Sequence, residues 1–371
     1  MTENDHAIIF VFPRLVSGGA EGVLNLLATK LAKENNVILL TTQRVQDIPL
    51  DFSASYSIFQ CSNLIQFFMQ LKSLYKSYKK LTVISSFTDI NILLCLFKKI
   101  RFKNIRLILR EAIHPFWHLN ETKLGLLYKL GYRLYSEADE VICLTDEMKE
   151  DLKKLIPPTV NSVHVIPNFF DTDLDLSWSP PKDEIIITTV GRLCYQKGYD
   201  QLIKAFYRLT HQYEDVKLRM IGDGPEKRNL KNLTRGLGIE KSIIFEGWVE
   251  NPFEYVSKSS FYVMSSRYEG FSNAMFETLY CGVPVLATAQ YTGATQINHF
   301  EEVGHLVSSC SEADLSKGLA YMYENINEFK AEKIQNLAHE LINLTRTIDQ
   351  YMNLILNLSN HSNDFKKDAK R

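Results

Sequence analysis

The sequence predicts an α/β protein built from two doubly wound, Rossmann-like domains that face each other across a cleft. The chain has 371 residues, which is long for a single hydrophobic core. Short runs that are apolar throughout alternate with longer amphipathic stretches, as in parallel sheets that helices cover on both faces. One acidic, proline-containing segment interrupts this alternation, and we interpret it as a linker between the domains.

The first predicted domain, residues 1–168, is built on six apolar runs. We assign them to parallel strands within 7–12, 36–42, 81–87, 105–110, 140–145 and 163–168. Between the runs lie amphipathic stretches such as LIQFFMQLKSLYKSYKKL at 64–81, which has the period of a helix that packs on a sheet. Strands and helices therefore alternate as in a doubly wound domain.

The segment 169–183, FFDTDLDLSWSPPKD, has no helical or strand period and predicts the linker. The alternation restarts in the second predicted domain, residues 184–345. Its predicted strands lie within 184–193, 216–225, 242–249, 259–266 and 283–288. We expect residues 346–371 to form a C-terminal helix that can cross back to the first domain, followed by a polar tail.

Composition excludes several classes of protein. The net charge is −1 and no recognition motif accompanies it, so we expect no nucleic-acid partner. The six cysteines are scattered singly without zinc-type spacing, which favours buried, reduced thiols. Acids precede the short N-terminal apolar run, and no run approaches the ~20 residues of a membrane span. We therefore expect a cytoplasmic protein.

Charged residues follow the predicted strands of the second domain. Arg192 follows the first strand, Lys197 precedes the next helix, and Glu269 comes shortly after the strand within 259–266. Because the carboxyl ends of parallel strands meet at one edge of a sheet, we expect these side chains in one site. The two cations could neutralise a diphosphate, and no nearby cluster of carboxylates indicates a metal ion.

A helix is predicted to begin beside this site, with Ser272 as its N-cap and Asn273 as its first residue. Its free amides and positive dipole end suit an anion, and Gly270 lets the backbone approach one. Glu269 and Glu277 flank this helix start. A carboxylate repels phosphate but accepts hydrogen bonds from hydroxyl groups. The set therefore fits a nucleotide sugar, in which a diphosphate separates a ribose from a second sugar.

A weaker signal comes from Gly18 and Gly19, which follow the first strand and open the first helix. They would let a ligand approach from the opposite side of the cleft, or they mark only a tight strand-to-helix turn. Taken alone, a pair of glutamates at this spacing is usually a solvated helix face, and Arg192 and Lys197 would be surface charges. Their joint location at strand ends is what favours a site.

Five motifs, taken in chain order, resemble those of one enzyme family. They are GGAE at 18–21, VGRL and QKG within 190–198, GDGP at 222–225, FEGWV at 245–249, and EGFSNAMFE followed by GVPV within 269–285. With them the chain resembles the family 4 retaining glycosyltransferases, which have the GT-B architecture. The resemblance covers nearly the whole chain and is strongest over 184–288.

The resemblance implies an enzyme that transfers a sugar from a nucleotide donor, here a UDP-sugar, with retention of configuration and without a metal or other cofactor. It implies that Glu277 contacts the ribose, and that Arg192 and Lys197 contact the diphosphate. It assigns to the donor sugar Glu269 and the backbone of Gly270, Phe271, Ser272 and Asn273. We expect Glu269, Arg192 and Lys197 to be catalytic.

The first domain departs from the family pattern after the strand IRLILR, where many relatives carry a histidine. Ala112 occupies the matching place, so Glu111 or His114 could serve the acceptor side instead. Phe169 replaces the glycine of a usual Pro-Asn-Gly, and Ala294 and Gln296 replace a glycine and an acidic residue. These changes bear on acceptor and sugar specificity more than on the fold.

Residues 60–135 are strongly basic, with thirteen Lys or Arg against three Asp or Glu and with aromatic residues interleaved. This pattern predicts a face that rests on an anionic membrane surface. The resemblance adds that many relatives extend glycans on polyprenyl diphosphate at the cytoplasmic membrane face. It implies a lipid-linked or cell-surface glycan acceptor, as in O-antigen or capsule biosynthesis. The alternative is that the cations lie on outer helix faces while the aromatic residues fill the core.

Two other functions stay open on the sequence alone. One is another GT-B enzyme, such as a nucleotide-sugar epimerase or hydrolase, which would consume donor without an acceptor. The other is a non-catalytic subunit of this fold, against which the presence of Arg192, Lys197, Glu269 and Glu277 argues.

Overall fold

A computed structural model of the chain divides into two compact α/β units. Unit 1 comprises Met1–Phe169 and Leu344–Arg371, and unit 2 comprises Phe170–Asn343. The structure describes residues 6–12, 19–41, 56–102, 104–115, 119, 124–160, 162–169, 177–289, 291–341 and 343–356. Gly18 and residues 170–176 of the predicted linker lie outside these described residues.

Unit 1 contains a seven-stranded parallel sheet with the strand order β3-β2-β1-β4-β5-β6-β7. Its strands are β1 His6–Phe12, β2 Val37–Thr41, β3 Tyr56–Gln60, β4 Lys80–Ser85, β5 Ile105–Arg110, β6 Glu140–Cys143 and β7 Val163–Val165. The central strand β1 is buried from Ala7 to Phe12, which is why its sequence is apolar on both faces. All six predicted runs contain a strand, and β3 was not predicted because its side chains are largely exposed.

The helices of unit 1 come from both ends of the chain. They are α1 Gly19–Leu31, α2 Leu64–Ser77, α3 Thr88–Arg101, α4 Gly125–Tyr132, α5 Asp146–Lys153 and, from the C-terminal end, α12 Leu344–Leu356. Tyr351 and Ile355 of α12 are buried in the same core as Phe10 of β1 and Leu24 and Leu27 of α1. The last described helix is therefore part of the hydrophobic core of unit 1.

A buried polar network joins α12 to the carboxyl end of β5. Arg110 is fully buried, and its Nε donates to the Tyr351 hydroxyl at 3.1 Å while its other nitrogens donate to Ser86 and Asn168. The Tyr351 hydroxyl in turn donates to the carbonyl oxygen of Ile166 at 3.2 Å. A guanidinium group that is buried away from water is stable only where such hydrogen-bond acceptors surround it. The network therefore ties α12 to the ends of strands β5 and β7.

Unit 2 contains a six-stranded parallel sheet with the order β10-β9-β8-β11-β12-β13. Its strands are β8 Ile185–Val190, β9 Val216–Ile221, β10 Ile243–Gly247, β11 Phe261–Met264, β12 Val285–Thr288 and β13 Gly304–Val307. Strand β13, which was not predicted, has only four residues and includes a glycine and a histidine. The helices are α6 Tyr199–Thr210, α7 Lys227–Leu237, α8 Phe253–Val256, α9 Asn273–Tyr280, α10 Glu312–Asn325 and α11 Ala331–Leu341.

The strand order of unit 2 decides where a ligand can bind. Strand β8 lies between β9 and β11, so the chain leaves β8 in one direction and later returns to its other side. The loops after β8 and β11 therefore begin side by side at a topological switch point, where ligands of such sheets bind.

The second half of the predicted linker is attached to unit 2. The indole Nε1 of Trp178 donates to the carbonyl oxygen of Ser259 at 2.8 Å. The backbone amide of Ser179 donates to the carbonyl oxygen of Ser257, also at 2.8 Å. These bonds attach residues 178 and 179 of the predicted linker to the segment that leads into β11.

The basic region 60–135 is only partly an exposed face. Its exposed cations are Lys72, Lys76, Lys79, Lys80, Lys99, Lys129 and Arg133. Arg110 is buried instead, and Lys98 and Arg106 form ion pairs with Asp139 and Glu140. These three cations were therefore wrongly counted as part of a solvated basic surface. Lys98 and Arg106 pair with carboxylates of unit 1, and Arg110 donates hydrogen bonds to its buried polar groups.

Several described aromatic residues of the same region pack against one another in unit 1. Phe97 stacks on Phe68 and on Phe102 with centroid distances of 4.9 and 3.8 Å, and Tyr75 meets Phe102 edge-on at 4.7 Å. Phe102 is buried and the other three are half-buried, so the alternative interpretation, with aromatic side chains in the core, holds for Phe102 and only in part for Phe68, Tyr75 and Phe97. The exposed large apolar side chains that the structure describes in this region are Leu64, Ile65 and Met69 of α2, Leu96 and Ile100 of α3, Ile113, and Leu124, Leu126, Leu127 and Leu130 in or directly before α4. Within the described residues, no helix has the length and hydropathy that crossing a bilayer requires.

Candidate functional site

The structure brings the loops after β8 and β11 together at the carboxyl edge of the sheet of unit 2. Lys197 lies in a short 3-10 turn, Tyr195–Lys197, directly before α6, and Glu269 lies between β11 and α9. The hydroxyl of Ser265 donates to the carbonyl oxygen of Lys197 at 2.8 Å. The backbone amide of Arg267 donates to the carbonyl oxygen of Gln196, also at 2.8 Å. The predicted meeting of these strand-end residues is therefore present.

The centre of this edge is an ion pair between Lys197 and Glu269. The Nζ of Lys197 donates to Oε1 of Glu269 at 2.5 Å, and the two side chains are only 19% and 9% exposed. Ser266 donates to the same carboxylate oxygen at 2.8 Å, and Gln196 donates to the other oxygen at 3.3 Å. The sequence placed Lys197 and Glu269 in one site, but it did not predict this pairing or the two neutral donors beside it.

The pair holds Lys197 in its charged form. Burial is the largest single influence and lowers the pKa of Lys197, but the charge and hydrogen bond of Glu269, together with Tyr199 and Cys194, outweigh it and the net pKa is raised. Lys197 is therefore a cation at neutral pH, as an anion-binding role requires.

Two glycines allow this close arrangement of the loops. Gly198 has a left-handed φ of 66°, and a Cβ there would lie 2.1 Å from the carbonyl oxygen of Ser265. Gly191 has a φ of 153°, and a Cβ there would lie 3.0 Å from Cε of Lys197. Any side chain at these positions would push the loop away from β11 or displace Lys197.

Arg192 supplies a second cation beside this pair. Its loop is fixed by two backbone bonds to the GDGP segment, from Leu193 N to Asp223 O at 3.0 Å and from Glu226 N to Leu193 O at 2.9 Å. The side chain of Arg192 is exposed, and it forms no ion pair or side-chain hydrogen bond with any residue that the structure describes. It is therefore free to meet a ligand.

Helix α9 begins at Asn273 as predicted, with Ser272 in the N-cap position. The Ser272 hydroxyl makes no capping hydrogen bond, although it was chosen as a good cap. The ring of Phe271 stacks on Phe276 at 4.3 Å, so the side chain of Phe271 packs against α9 and only its backbone faces the loop. Among described residues, no backbone hydrogen bond uses the amides of Gly270, Phe271 or Ser272. These amides can therefore donate to an anion.

Glu277 occupies the second turn of α9, and its side chain is only partly exposed. Burial raises the pKa of its carboxyl group to about 7. No hydrogen bond or ion pair to its carboxylate occurs among the described residues. Such a group is only partly ionised at neutral pH, and hydrogen-bond donors from a ligand would favour its ionised form.

The two acceptor-side candidates in unit 1 are buried. Glu111 is fully buried and accepts hydrogen bonds from Thr88 at 2.9 Å, from Asn91 at 3.1 Å and from Tyr135, while burial raises its pKa. His114 is 1% exposed, its Nε2 lies 3.6 Å from Asp151, and burial lowers its pKa to about 4. Neither side chain is presented to solvent, so their predicted acceptor role has no geometric support.

The remaining predictions concern glycines and metals. Gly19 is the first residue of α1, and Gly18 falls outside the described residues. In the part of the chain that the structure describes, no group of three or more His, Cys, Asp or Glu side chains is arranged to hold a metal ion.

Two protein-family models match the chain. The model "Glycosyltransferase Family 4" matches residues 17–174, and "Glycosyl transferases group 1" matches residues 172–340. Their boundary falls within the segment that separates the two units. Together the two matches span most of both units.

Curated relatives are named as glycosyltransferases. One from Campylobacter jejuni, an N-acetylgalactosaminyltransferase named for a diphospho-undecaprenol substrate, is 29% identical over 343 residues, covering 88% of this chain and 92% of that protein. An uncharacterised glycosyltransferase of Methanocaldococcus jannaschii is 30% identical over 231 residues. That match covers 59% of this chain and 54% of the relative.

A solved structure has the same fold. Anabaena HepE, crystallised with UDP and glucose, superposes with a TM-score of 0.79 at 16% identity, covering 95% of this chain and 99% of that one. The predicted fold class, two Rossmann-like domains of the GT-B type, is thereby confirmed.

The raised pKa of Glu277 predicts a specific dependence of stability on pH. A carboxyl group whose pKa rises on folding from 4.5 to about 7 stabilises the fold fully below pH 4.5, and this stabilisation is lost as the pH rises through 7. Glu277→Gln keeps a neutral side chain of similar shape. We expect its melting temperature to exceed that of the wild type by a few degrees at about pH 8, from about 1–3 kcal/mol, and the difference to vanish near pH 5.

The matched control for this measurement is Glu214→Gln, which neutralises an exposed carboxylate of the same unit. Its melting curve should follow that of the wild type at both pH values. A constant difference between Glu277→Gln and the wild type from pH 5 to pH 8 would contradict the assignment.

Proposed function

The chain belongs to glycosyltransferase family 4, and from that membership we propose that it transfers a sugar from a nucleotide-sugar donor to a hydroxyl group of a glycan. The observation that carries the proposal is the composition of the strand-end edge of unit 2. There, the Lys197–Glu269 ion pair, the exposed Arg192 of the same loop, a helix start without a side-chain cap and Glu277 of that helix occupy neighbouring segments. An anion flanked by hydroxyl groups is the ligand that such a set recognises.

We propose a UDP-sugar as the donor. Arg192 and Lys197 supply two positive charges for the two phosphates of the diphosphate, and the free amides from Gly270 to Ser272 add neutral donors. The ribose hydroxyls donate to Glu277, whose carboxylate has no other described donor. The preference for UDP rests on the likeness to HepE, a protein that was crystallised with UDP.

The donor can bind at the ion pair Lys197–Glu269 without leaving either buried charge unpaired. When a phosphate oxygen approaches Lys197, the Nζ has further protons to donate to it. Glu269 retains the hydrogen bonds from Ser266 and Gln196, and it can accept an additional one from a donor-sugar hydroxyl. Both partners are therefore satisfied throughout binding, which keeps the desolvation cost low.

The chemical step follows from where negative charge develops. As the bond from the sugar to the diphosphate breaks, the leaving phosphate gains charge, which Lys197, Arg192 and the helix amides stabilise. We propose that the acceptor hydroxyl attacks from the same face and that the departing phosphate oxygen takes its proton, which gives retention of configuration. Because the two cations and the amides supply positive charge at the leaving group, we propose that transfer needs no metal ion.

We further propose a lipid-linked glycan as the acceptor, in the assembly of a polysaccharide such as O-antigen or capsule. The Campylobacter relative, which matches over most of its length, carries diphospho-undecaprenol in its name. An acceptor anchored in this way would require the enzyme to work at the membrane surface.

Unit 1 has a surface suited to that location. Helices α2 and α4 both pack beside α3, through the Phe68–Phe97 stack and through a 2.5 Å hydrogen bond from Tyr128 to Asp89. Each carries exposed aliphatic residues next to exposed cations such as Lys72 and Lys129. We propose that this face rests peripherally on an anionic bilayer at the cytoplasmic side, because cations attract anionic headgroups while the aliphatic side chains enter the interface.

Transfer is tested with purified protein, a panel of nucleotide sugars and polyprenyl-diphosphate-linked acceptors, in the presence of EDTA. We expect transfer from a UDP-sugar, and we expect Lys197→Ala to lower kcat at least about 100-fold because the leaving group loses its buried cation. Glu277→Ala should weaken donor binding by ~1–3 kcal/mol.

The control variant for these substitutions is Lys317→Ala, which removes an exposed cation of α10 and should leave the kinetics unchanged. Near-normal kcat in Lys197→Ala would contradict the leaving-group assignment. Turnover of the donor alone, without acceptor, would point to a hydrolase or epimerase instead.

The membrane face is tested by sedimentation with vesicles of phosphatidylglycerol and phosphatidylcholine. We expect binding that weakens as salt rises, and an at least tenfold loss of binding in the double variant Leu126→Asp/Leu127→Asp. The control Gln212→Asp/Lys317→Asp changes the net charge by more than the test variant does, but it does so on unit 2. Its vesicle binding should be closer to that of the wild type than the binding of Leu126→Asp/Leu127→Asp. Equal binding of all three proteins, or none even at low salt, would remove the proposal.

A further inference from the structure

Arg267 lies two residues before Glu269, but its guanidinium group binds the loop that carries Lys197. Its Nη1 donates to the carbonyl oxygen of Tyr195 at 2.6 Å. Nη1 and Nη2 also donate to the two carboxylate oxygens of Asp200 at 2.8 and 2.7 Å. The Arg267 side chain, from the loop after β11, therefore binds a residue on each side of Lys197. These are Tyr195 in the 3-10 turn and Asp200 in the first turn of α6.

The same β11 loop also binds the two residues that follow Tyr195. The backbone amide of Arg267 donates to the carbonyl oxygen of Gln196, and the hydroxyl of Ser265 donates to that of Lys197, both at 2.8 Å. Three consecutive carbonyl oxygens, from Tyr195 to Lys197, are thus held by residues 265–267. The orientation of the segment depends on these bonds, because its 3-10 turn is too short to be stable alone.

The contacts of Arg267 are of a strong kind. The side chain is 12% exposed, the pairing with Asp200 is bidentate, and the guanidinium carbon lies 3.9 Å from the ring centroid of Tyr195. Charge-assisted bidentate pairs fix geometry as well as contribute energy, and stacking on an aromatic ring adds to this. Lysine offers neither the planar fork nor the stack, so it cannot replace arginine here.

We propose that Arg267 is the positioning residue for Lys197, and that Asp200 is its partner in that role. By clamping the segment 195–200, Arg267 holds Nζ of Lys197 at the point where it meets Glu269 and, on the proposed function, the donor diphosphate. Arg267 itself binds backbone, Asp200 and Tyr195, so it acts through Lys197 and is not assigned a contact with substrate. A displacement of about 1 Å at the cation would be enough to reduce turnover strongly.

A double-mutant cycle tests this role in the transfer reaction. We expect Arg267→Ala to lower kcat at least about tenfold, Arg267→Lys to restore little of it, and Asp200→Asn to have a smaller effect of the same kind. In the Lys197→Ala background, Arg267→Ala should cost less than about twofold more, because the residue it positions is already absent. Full additivity of the two losses would overturn the proposal, since it would mean that Arg267 acts independently of Lys197.

A second measurement does not depend on enzymatic activity. Reductive methylation with formaldehyde and cyanoborohydride, followed by peptide mass spectrometry, reports how fast the Lys197 amine reacts. In the wild type its ion pair and burial should make it slow. Arg267→Ala and Asp200→Asn should speed its labelling at least about fivefold. The control Arg208→Ala, which breaks an exposed ion pair with Glu312 elsewhere on α6, should not.

These two measurements separate the proposal from the proposed function. If the wild type neither binds nor turns over nucleotide sugars, the function fails while the labelling rates still decide the role of Arg267. An unchanged labelling rate of Lys197 in a folded Arg267→Ala or Asp200→Asn variant would overturn the positioning role, whatever the activity of the protein.

Discussion

The ion pair between Lys197 and Glu269 is the constraint on which the rest of the site depends. Both side chains are largely removed from water, and an unpaired charge there would cost on the order of several kcal/mol. The loops after β8 and β11 must therefore stay together in the absence of a ligand. A ligand that separates the pair must supply an anion for Lys197 and hydroxyl donors for Glu269. A nucleotide sugar carries both next to each other, which connects the electrostatics of this site to the proposed reaction.

In unit 2 the fold brings two charged loop residues together at the strand ends. In unit 1 the charged residues at a strand end are buried in a hydrogen-bond network. In unit 2, the position of β8 between β9 and β11 and the glycines at 191 and 198 let the two loops approach within hydrogen-bond distance. In unit 1, the charged residues at the end of β5, Arg110 and Glu111, are fully buried and bonded to Ser86, Asn91, Thr88 and Tyr351. Those charges therefore stabilise the unit, including its C-terminal helix.

Much of the fold could be predicted from the sequence because central parallel strands are apolar on both faces. Strands β3 and β13 escaped prediction because, at the ends of the described sheets, their side chains are partly exposed and their patterns are mixed. The site residues were found because motif spacing places them at strand ends. What spacing cannot give is contact across strands, so the pairing of Lys197 with Glu269 and the clamp of Arg267 became visible only in three dimensions. The same limit explains why Arg110 was counted as a surface cation, although it is fully buried. The functional roles of the individual site residues stay predictions.

A crystal structure of the protein with UDP bound is the most direct test of the central claim. The account predicts that phosphate oxygens lie within hydrogen-bond distance of Nζ of Lys197 and of the Arg192 guanidinium, near the amides that precede α9, and that the ribose hydroxyls meet Glu277. Density for the nucleotide elsewhere on the chain, with Lys197 bonded only to Glu269 and Arg192 still free, would contradict it.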